Sequence, residues 1–144
     1  MKIISIDLGE KRTGVAICDK NETISYPLEV IIETNKKRLI EKIFQISEKN
    51  KAELILVGFA KNMNGSIGEK AKNCENFAKE LKEKTKLPVA LWDERQTTKL
   101  ASRFLIESNT KKRKKKNIID GVAATIILDS FIQFRKNNNE IKLI

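Results

Sequence analysis

The chain has 144 residues, 40% of them hydrophobic and 33% charged, with a formal net charge of +10 and no histidine. This length suits one ordinary domain, residues 1–144, and the lack of histidine excludes Ser–His catalysis, Cys–His catalysis and histidine-ligated zinc. The two cysteines fit no disulfide framework or zinc motif, and without a signal peptide or a membrane-length apolar run we expect a cytoplasmic protein with no membrane partner.

Three strands are predicted at the start of the chain. Residues 2–8 alternate between apolar and polar positions, with Asp7 near their C-terminal end, and a short turn then leads to a second strand at residues 14–18. Because the connection is short, these two strands must be antiparallel. A third strand is predicted near residues 24–33, where Pro27 indicates an edge position or an irregularity.

The rest of the chain alternates between helical and extended patterns. The predicted elements are helix 35–50, strand 54–57, a helix from the capping box of Ser66 and Glu69 to residue 85, strand 89–92, helix 97–108 and a last helix from Asn117. The β–α–β connections require parallel, right-handed crossovers. The sequence therefore predicts an α/β fold, with a mixed sheet and helices on both of its faces.

Acidic residues occur where the predicted strands end. Asp7 ends the first strand, Asp93 and Glu94 follow the last strand, and Asp120 lies in the first turn of the last helix. Ligands meet the C-terminal ends of parallel strands, so these acids are placed to converge at one edge of the sheet. Converging carboxylates repel one another unless a hard cation such as Mg²⁺ or Mn²⁺ binds them. Two such ions can flank a scissile phosphate.

Each acid also has a structural alternative. An acid such as Asp120 stabilises a helix N-terminus through the helix dipole, and Asp93 or Glu94 can pair with Arg95 or begin a helix. Asp7 is the hardest to explain structurally, because strand interiors disfavour aspartate. The expected convergence of all three acids favours the functional interpretation.

Positive charge is concentrated near the end of the chain. Residues 111–116 read KKRKKK, and this run indicates a polyanionic partner, most often nucleic acid. We expect a mobile basic flap just before Asp120, with nucleic-acid contacts from Lys111, Lys112, Arg113 and Lys114. The alternatives are a solvated loop or a lysine-rich composition that only aids solubility.

Three more basic residues are candidates for contacts with nucleic acid. Lys11 and Arg12 follow Asp7 closely and are suited to hold phosphate oxygens, although solvated turn charges are the alternative. Arg95 is adjacent to Glu94 and can contact the backbone of a nucleic acid or form a structural ion pair. Gly9 allows a sharp turn and a close backbone approach beside Asp7.

Four sequence blocks, in order and spanning nearly the whole chain, carry a family resemblance: IDLGEKRTGVA, GFAKNMNGSIGEKA, DERQTT and IDGVAATIIL. Together they resemble the YqgF (RuvX-like) family of pre-16S ribosomal RNA nucleases, which are also described as Holliday-junction-resolvase-like. The resemblance implies a ribonuclease H-like fold, sheet order 3-2-1-4-5 and phosphodiester hydrolysis. It assigns catalytic and metal-binding roles to Asp7, Glu94 and Asp120. Together with the convergence of these carboxylates, this predicts two Mg²⁺ or Mn²⁺ ions as cofactors.

The loop after the predicted strand 54–57 departs from the family pattern G-L-P-x-x-x-D-G-S. Ala60 replaces the proline and Asn64 replaces the aspartate. We therefore expect a more flexible loop, in which any role of that acid is lost.

Several functions remain open at this stage. The first is a metal-dependent nuclease that processes the 5′ end of pre-16S rRNA in ribosome biogenesis, and the second is a resolvase of Holliday junctions or other branched DNA. The third is a non-catalytic nucleic-acid-binding factor. An actin-like ATPase is disfavoured, because it encloses ATP between two such domains and 144 residues supply one. The expected oligomeric state is a monomer or a weak homodimer.

Overall fold

The computed structural model describes residues 1–59, 69–93 and 115–138. Within these ranges the chain forms five strands and three helices, which are β1 (Ile3–Asp7), β2 (Arg12–Cys18), β3 (Ser25–Ile32), α1 (Lys36–Lys49), β4 (Leu54–Phe59), α2 (Glu69–Thr85), β5 (Val89–Asp93) and α3 (Lys115–Asn138). None of the helices in these ranges has the length and apolar character that a membrane span requires.

The five strands form one mixed sheet in the order β3-β2-β1-β4-β5. The first three strands pair antiparallel, whereas β1–β4 and β4–β5 are parallel pairs. β1 therefore lies in the centre, between an antiparallel half and a parallel half. The predicted α/β class and the sheet order 3-2-1-4-5 are both confirmed.

Helices cover both faces of this sheet, as the sequence predicts. Alternate residues of β1 point in opposite directions, so that Ile4 and Ile6 join a core formed with α1 and α2. Ile3 joins a second core, which is formed with α3. Ser5 and Asp7 share the face of Ile3, and the last residue of β1 is therefore directed to the side of the sheet that α3 covers.

Helix α3 runs antiparallel to β1. The buried Ser5 hydroxyl donates a hydrogen bond to the carbonyl oxygen of Ala124, at 2.6 Å. Farther along α3, Arg135 forms an ion pair with Glu22, whose carboxylate also lies 2.9 Å from the amine of Met1. The C-terminal part of α3 therefore lies near the start of β1, and residues before Ala124 extend toward the C-terminal end of β1.

Strand β3 is an edge strand and also has an irregularity, the two alternatives that Pro27 indicated. Val15 pairs with Glu29 and the next residue, Ala16, pairs with Pro27, so Leu28 is an extra residue on β3. Such a bulge bends the strand and increases its local twist.

Three element boundaries differ by two residues from the sequence-based expectations. β2 begins at Arg12 rather than at Gly14, because Arg12 and Thr13 continue the pairing with β3. β4 continues through Gly58 to Phe59, since Gly58 still pairs with Trp92 of β5. Helix α3 begins at Lys115 rather than at Asn117. The predicted cap at Ser66, the helix 97–108 and the departures at Ala60 and Asn64 lie outside the described residues.

The contact between Glu22 and α3 gives a stability prediction. We expect Glu22→Gln to lower the free energy of unfolding by about 1–2 kcal/mol at pH 7, because the Glu22 side chain is only 14% exposed and its charged hydrogen bonds are lost. Urea denaturation measures the difference. Glu48→Gln, at an exposed position of α1, is the control and should leave stability within about 0.5 kcal/mol.

The same substitution has a predicted pH dependence. Burial opposes ionisation of Glu22, but hydrogen bonds from the Met1 amine and Arg135 outweigh it and lower its pKa below the ordinary value of 4.5. The carboxylate therefore stabilises the fold fully above pH 4.5, and this contribution is lost as the pH falls through the lowered pKa. The difference in the free energy of unfolding between wild type and Glu22→Gln should therefore decrease in acid. A difference that does not change with pH would contradict the ion-pair explanation.

Candidate active site

Asp7 lies at the edge of the sheet where all three parallel strands end. It is the last residue of β1 and is half-buried. The preceding residue, Ile6, pairs with Val57 of β4, and β5 ends beyond that point, at Asp93. Since β1 and β5 are separated by β4, their ends lie roughly 10 Å apart, at two strand spacings. Glu94 directly follows Asp93 but lies outside the described residues.

The backbone of Asp120 lies at the same level as Asp7, on the helix that covers this face of the sheet. Asp120 precedes Ala124 by one turn of α3, and Asp7 follows Ser5 by two residues. Each position is thus displaced by about 6 Å from the Ser5–Ala124 hydrogen bond, along antiparallel elements and toward the same end of the sheet. The side chain of Asp120 is outside the described part of the structure, so its contact with Asp7 stays a prediction.

Within residues 1–59, 69–93 and 115–138, no group of three or more cysteine and acidic side chains is placed to hold a metal ion. This finding does not test the predicted set, because it includes neither Glu94 nor the side chain of Asp120. The assignment of Asp7, Glu94 and Asp120 as metal ligands therefore remains a prediction.

The turn between β1 and β2 packs closely on itself. A Cβ atom built on Gly9 would collide with the backbone carbonyl oxygen of Arg12, so the expected sharp turn at Gly9 is confirmed. The backbone N–H of Glu33 donates to the carbonyl oxygen of Lys11, at 3.0 Å, which ties the end of β3 to this turn. The side chains of Lys11 and Arg12 are exposed, and their role as phosphate ligands stays a prediction.

The remaining predicted nucleic-acid contacts, Arg95, Lys111, Lys112, Arg113 and Lys114, lie outside the described residues. The expectation that the whole basic run 111–116 forms a flap is wrong for its last two residues. Lys115 and Lys116 belong to α3, and lysine is a good helix former.

Ser5 is a positioning residue that sequence reasoning missed. Its side chain is fully buried and forms a hydrogen bond that links α3 to β1 at a defined position. The available signal was a hydroxyl in an otherwise apolar strand, two residues before Asp7 and on the same face. A buried hydroxyl requires a hydrogen-bond partner, and here that partner is the carbonyl oxygen of Ala124.

The fold is the ribonuclease H-like fold, and it is similar to the folds of RuvC and of a viral Holliday junction resolvase. RuvC of Thermus thermophilus, solved in complex with a Holliday junction substrate, matches 100% of this chain and 99% of its own, with TM-score 0.61 and 13% identity. The fowlpox virus Holliday junction resolvase matches 93% of this chain and 99% of its own, with TM-score 0.54 and 15% identity. At such low identities these likenesses concern the fold alone.

Sequence comparison identifies the family. The family model described as "RuvX: Holliday junction resolvase" matches residues 1–134. A protein of Caldanaerobacter subterraneus subsp. tengcongensis, named "Putative pre-16S rRNA nuclease", is 41% identical over 139 residues, which cover 96% of this chain and 100% of the relative. The chain therefore belongs to the RuvX family, and the resemblance carried by the four sequence blocks is confirmed.

The packing of the turn beside Asp7 leads to a prediction for Gly9→Ala. The added methyl group must displace the backbone at Arg12, and we expect the free energy of unfolding to fall by about 1–3 kcal/mol. Chemical denaturation measures the loss. The control is Lys11→Ala, which truncates an exposed side chain in the same turn and should change stability by less than about 0.5 kcal/mol. Equal stabilities for both variants would contradict the close packing.

Proposed function

We propose that this chain is a cytoplasmic, divalent-metal-dependent nuclease that hydrolyses phosphodiester bonds in pre-16S rRNA and so matures its 5′ end. Membership of the RuvX family and the relatives named as pre-16S rRNA nucleases support this function. The observation that carries the proposal is the Ser5–Ala124 hydrogen bond. From this bond and the rise of each element, the backbones of Asp7 and Asp120 are expected at one level, toward the end of the sheet where β5 also ends.

The candidate ligands suit a hard divalent cation. The carboxylates of Asp7, Glu94 and Asp120 are all oxygen donors, the ligand type that Mg²⁺ and Mn²⁺ prefer, and the chain has no histidine to favour zinc. When bound, two such ions supply an activated water and stabilise the leaving oxygen of a phosphodiester. Each of the three carboxylates belongs to a residue on or next to a regular element: the end of β1, the end of β5 or the first turns of α3. These elements would hold the carboxylates rigidly.

The basic residues would bind the substrate backbone. Lys11 and Arg12 are exposed beside the end of β1, where Asp7 lies, and are suited to bind phosphate oxygens next to the bond that is cut. Arg95 and the basic run at residues 111–116 would extend this contact along the nucleic acid strand. The net charge of +10 favours association with a polyanion over the whole surface.

The proposed nuclease activity is tested by comparing the cleavage rates of the wild type and of the Asp7→Asn variant. Asparagine has nearly the shape of aspartate but is a poor ligand for a divalent cation, so we expect cleavage of a pre-16S rRNA fragment to fall at least about a hundredfold. Loss of a ligand should cost no less than the 10- to 100-fold loss typical of groups that only support ligands. Rates are measured in Mg²⁺, in Mn²⁺ and with a chelator, which should abolish wild-type cleavage.

The matched control is Asp129→Asn, at an exposed position of α3, which should cleave as the wild type does. Asp120→Asn and Glu94→Gln should lose activity as Asp7→Asn does. Equal cleavage by wild type and Asp7→Asn would refute the active-site assignment, and cleavage that persists in chelator would refute metal dependence. Binding without cleavage under all conditions would support a non-catalytic nucleic-acid-binding factor instead.

Branched DNA is the second candidate substrate, and the name of the matching family, Holliday junction resolvase, favours it. The same three acids would serve both substrates, so the two are distinguished by rate. Four-way DNA junctions and the rRNA fragment are compared under identical conditions. A higher kcat/KM for the junction would replace rRNA as the proposed substrate.

The basic run predicts a specific salt dependence of binding. Each phosphate neutralised contributes about 0.7–0.9 to the slope of log Kobs against log salt. Replacing Lys111, Lys112, Arg113 and Lys114 together by alanine should therefore reduce the slope by about 3 if all four bind phosphate. The slope is measured by fluorescence anisotropy, with Asp7→Asn as the background that prevents cleavage.

The control for this variant removes the same charge elsewhere. Four exposed lysines on the two helices of the opposite face are replaced by alanine: Lys37, Lys49, Lys72 and Lys79. This variant should keep a slope close to that of the parent. A slope reduced equally in both variants would indicate that only overall charge matters and that the run is not a local binding site.

A further inference from the structure

An exposed apolar surface lies on the same face of the sheet as Asp7. Asp7 pairs with Gly14 of β2, and Gly14 pairs in turn with Val30 of β3. Side chains of directly paired antiparallel residues point to the same face, so Val30 shares the face of Asp7. One row farther toward the C-terminal end of β1, Arg12 pairs with Ile32 on this face.

The side chain of Ile32 is unusually exposed for an isoleucine in a strand. It is 71% exposed, and Val30 is 39% exposed. By strand spacing and rise, Ile32 lies roughly 12 Å from Asp7. The exposed apolar side chain is therefore next to the exposed Arg12 and near the candidate active site.

This surface is held in place by backbone hydrogen bonds. Arg12 and Ile32 are paired residues of the ladder between β2 and β3, and the Glu33 N–H bond to Lys11 extends the ladder by one step. A surface on paired strands loses little conformational entropy when it binds a ligand.

The carboxylate of Glu33, the residue after Ile32, is directed away from this face. Glu33 follows Ile32 and so points to the side of α1, where its carboxylate lies 3.2 Å from the Lys42 ammonium. That carboxylate also accepts backbone N–H bonds from Thr34 and Asn35. Arg12 is the residue that pairs with Ile32 across the two strands, and its side chain lies on the same face. The positive charge of its guanidinium favours a negatively charged ligand.

We propose that Arg12 and Ile32 form a binding surface for an unpaired nucleotide near the bond that is cut. Arg12 binds its phosphate, and Ile32 contacts the face of its base. This inference rests on the proposed nuclease function, because it places the substrate strand across the end of β1. It assigns the substrate class as nucleic acid with an unpaired or unstacked nucleotide beside the scissile phosphate.

The base must be unpaired for a physical reason. In a continuous duplex both faces of each base are covered by its neighbours, and aliphatic side chains reach a base face only where stacking is broken. Arginine beside the apolar contact holds the backbone in register without reading sequence. Such a surface selects for strand ends, loops and branch points over regular duplex.

The test compares Ile32→Asn with Ile24→Asn, both in the Asp7→Asn background. Ile24 is a matched control, since it is 63% exposed and precedes β3, about 26 Å along the strand from Ile32. Affinities are measured by anisotropy for a single-stranded RNA oligonucleotide, for the same sequence in a blunt duplex, and for a version with abasic sugars.

We expect Ile32→Asn to weaken binding of the single strand about fivefold, which corresponds to about 1 kcal/mol and to about 40 Å² of apolar surface. Binding of the duplex and of the abasic strand should change less than about twofold. Ile24→Asn should leave all three affinities unchanged. Thermal unfolding and light scattering are measured for each variant, because a loss of fold or a change of oligomeric state would also lower affinity.

Three outcomes would overturn the proposal: equal effects of both variants, an equal loss for single strand and duplex, or a change of oligomeric state in Ile32→Asn alone. The last would identify the surface as an interface between copies of the chain. Because binding is measured without cleavage, the result is independent of catalysis. If Ile32→Asn weakens only single-strand binding and the wild type shows no cleavage, the nuclease proposal is refuted while the proposed binding surface is supported.

Discussion

Helix α3 is linked to the central strand by a buried, directional hydrogen bond between the Ser5 hydroxyl and the carbonyl oxygen of Ala124. Apolar contacts alone would allow a helix to slide along a flat strand surface, because they are not directional. A hydroxyl buried without its partner costs about 1–3 kcal/mol, so the bond disfavours other positions. The level of Asp120 relative to Asp7 follows from this bond and from the fixed rise of each element.

Much of the fold was predictable because its central strands carry clear patterns. The alternation before Asp7 and the continuous apolar run at residues 54–57 gave the types and approximate bounds of β1 and β4. The helix predicted from residue 35 begins at Lys36, directly after its N-cap Asn35. Boundaries were less predictable where a polar residue continues an element. Arg12 pairs within β2 although its side chain is exposed, and Lys115 is helical although it belongs to a charged run.

The candidate site was only partly predictable, and β3 shows why. Counting alternate residues would place Tyr26 and Val30 on one face, but the bulge at Leu28 puts them on opposite faces. The sequence therefore indicated Asp7 as a conspicuous acid but did not indicate that Val30 and Ile32 share its face. The partner of Ser5 was equally hidden, since it is a backbone carbonyl more than a hundred residues away.

The bulge has a consequence for the open edge of the sheet. It divides β3 into Ser25–Pro27 and Glu29–Ile32, and a proline within the strand has no N–H group to offer a neighbouring chain. A foreign strand would find no uninterrupted ladder to extend and would form only a few consecutive backbone bonds. The apolar side chains that β3 exposes can therefore remain in water with little risk of ordered aggregation.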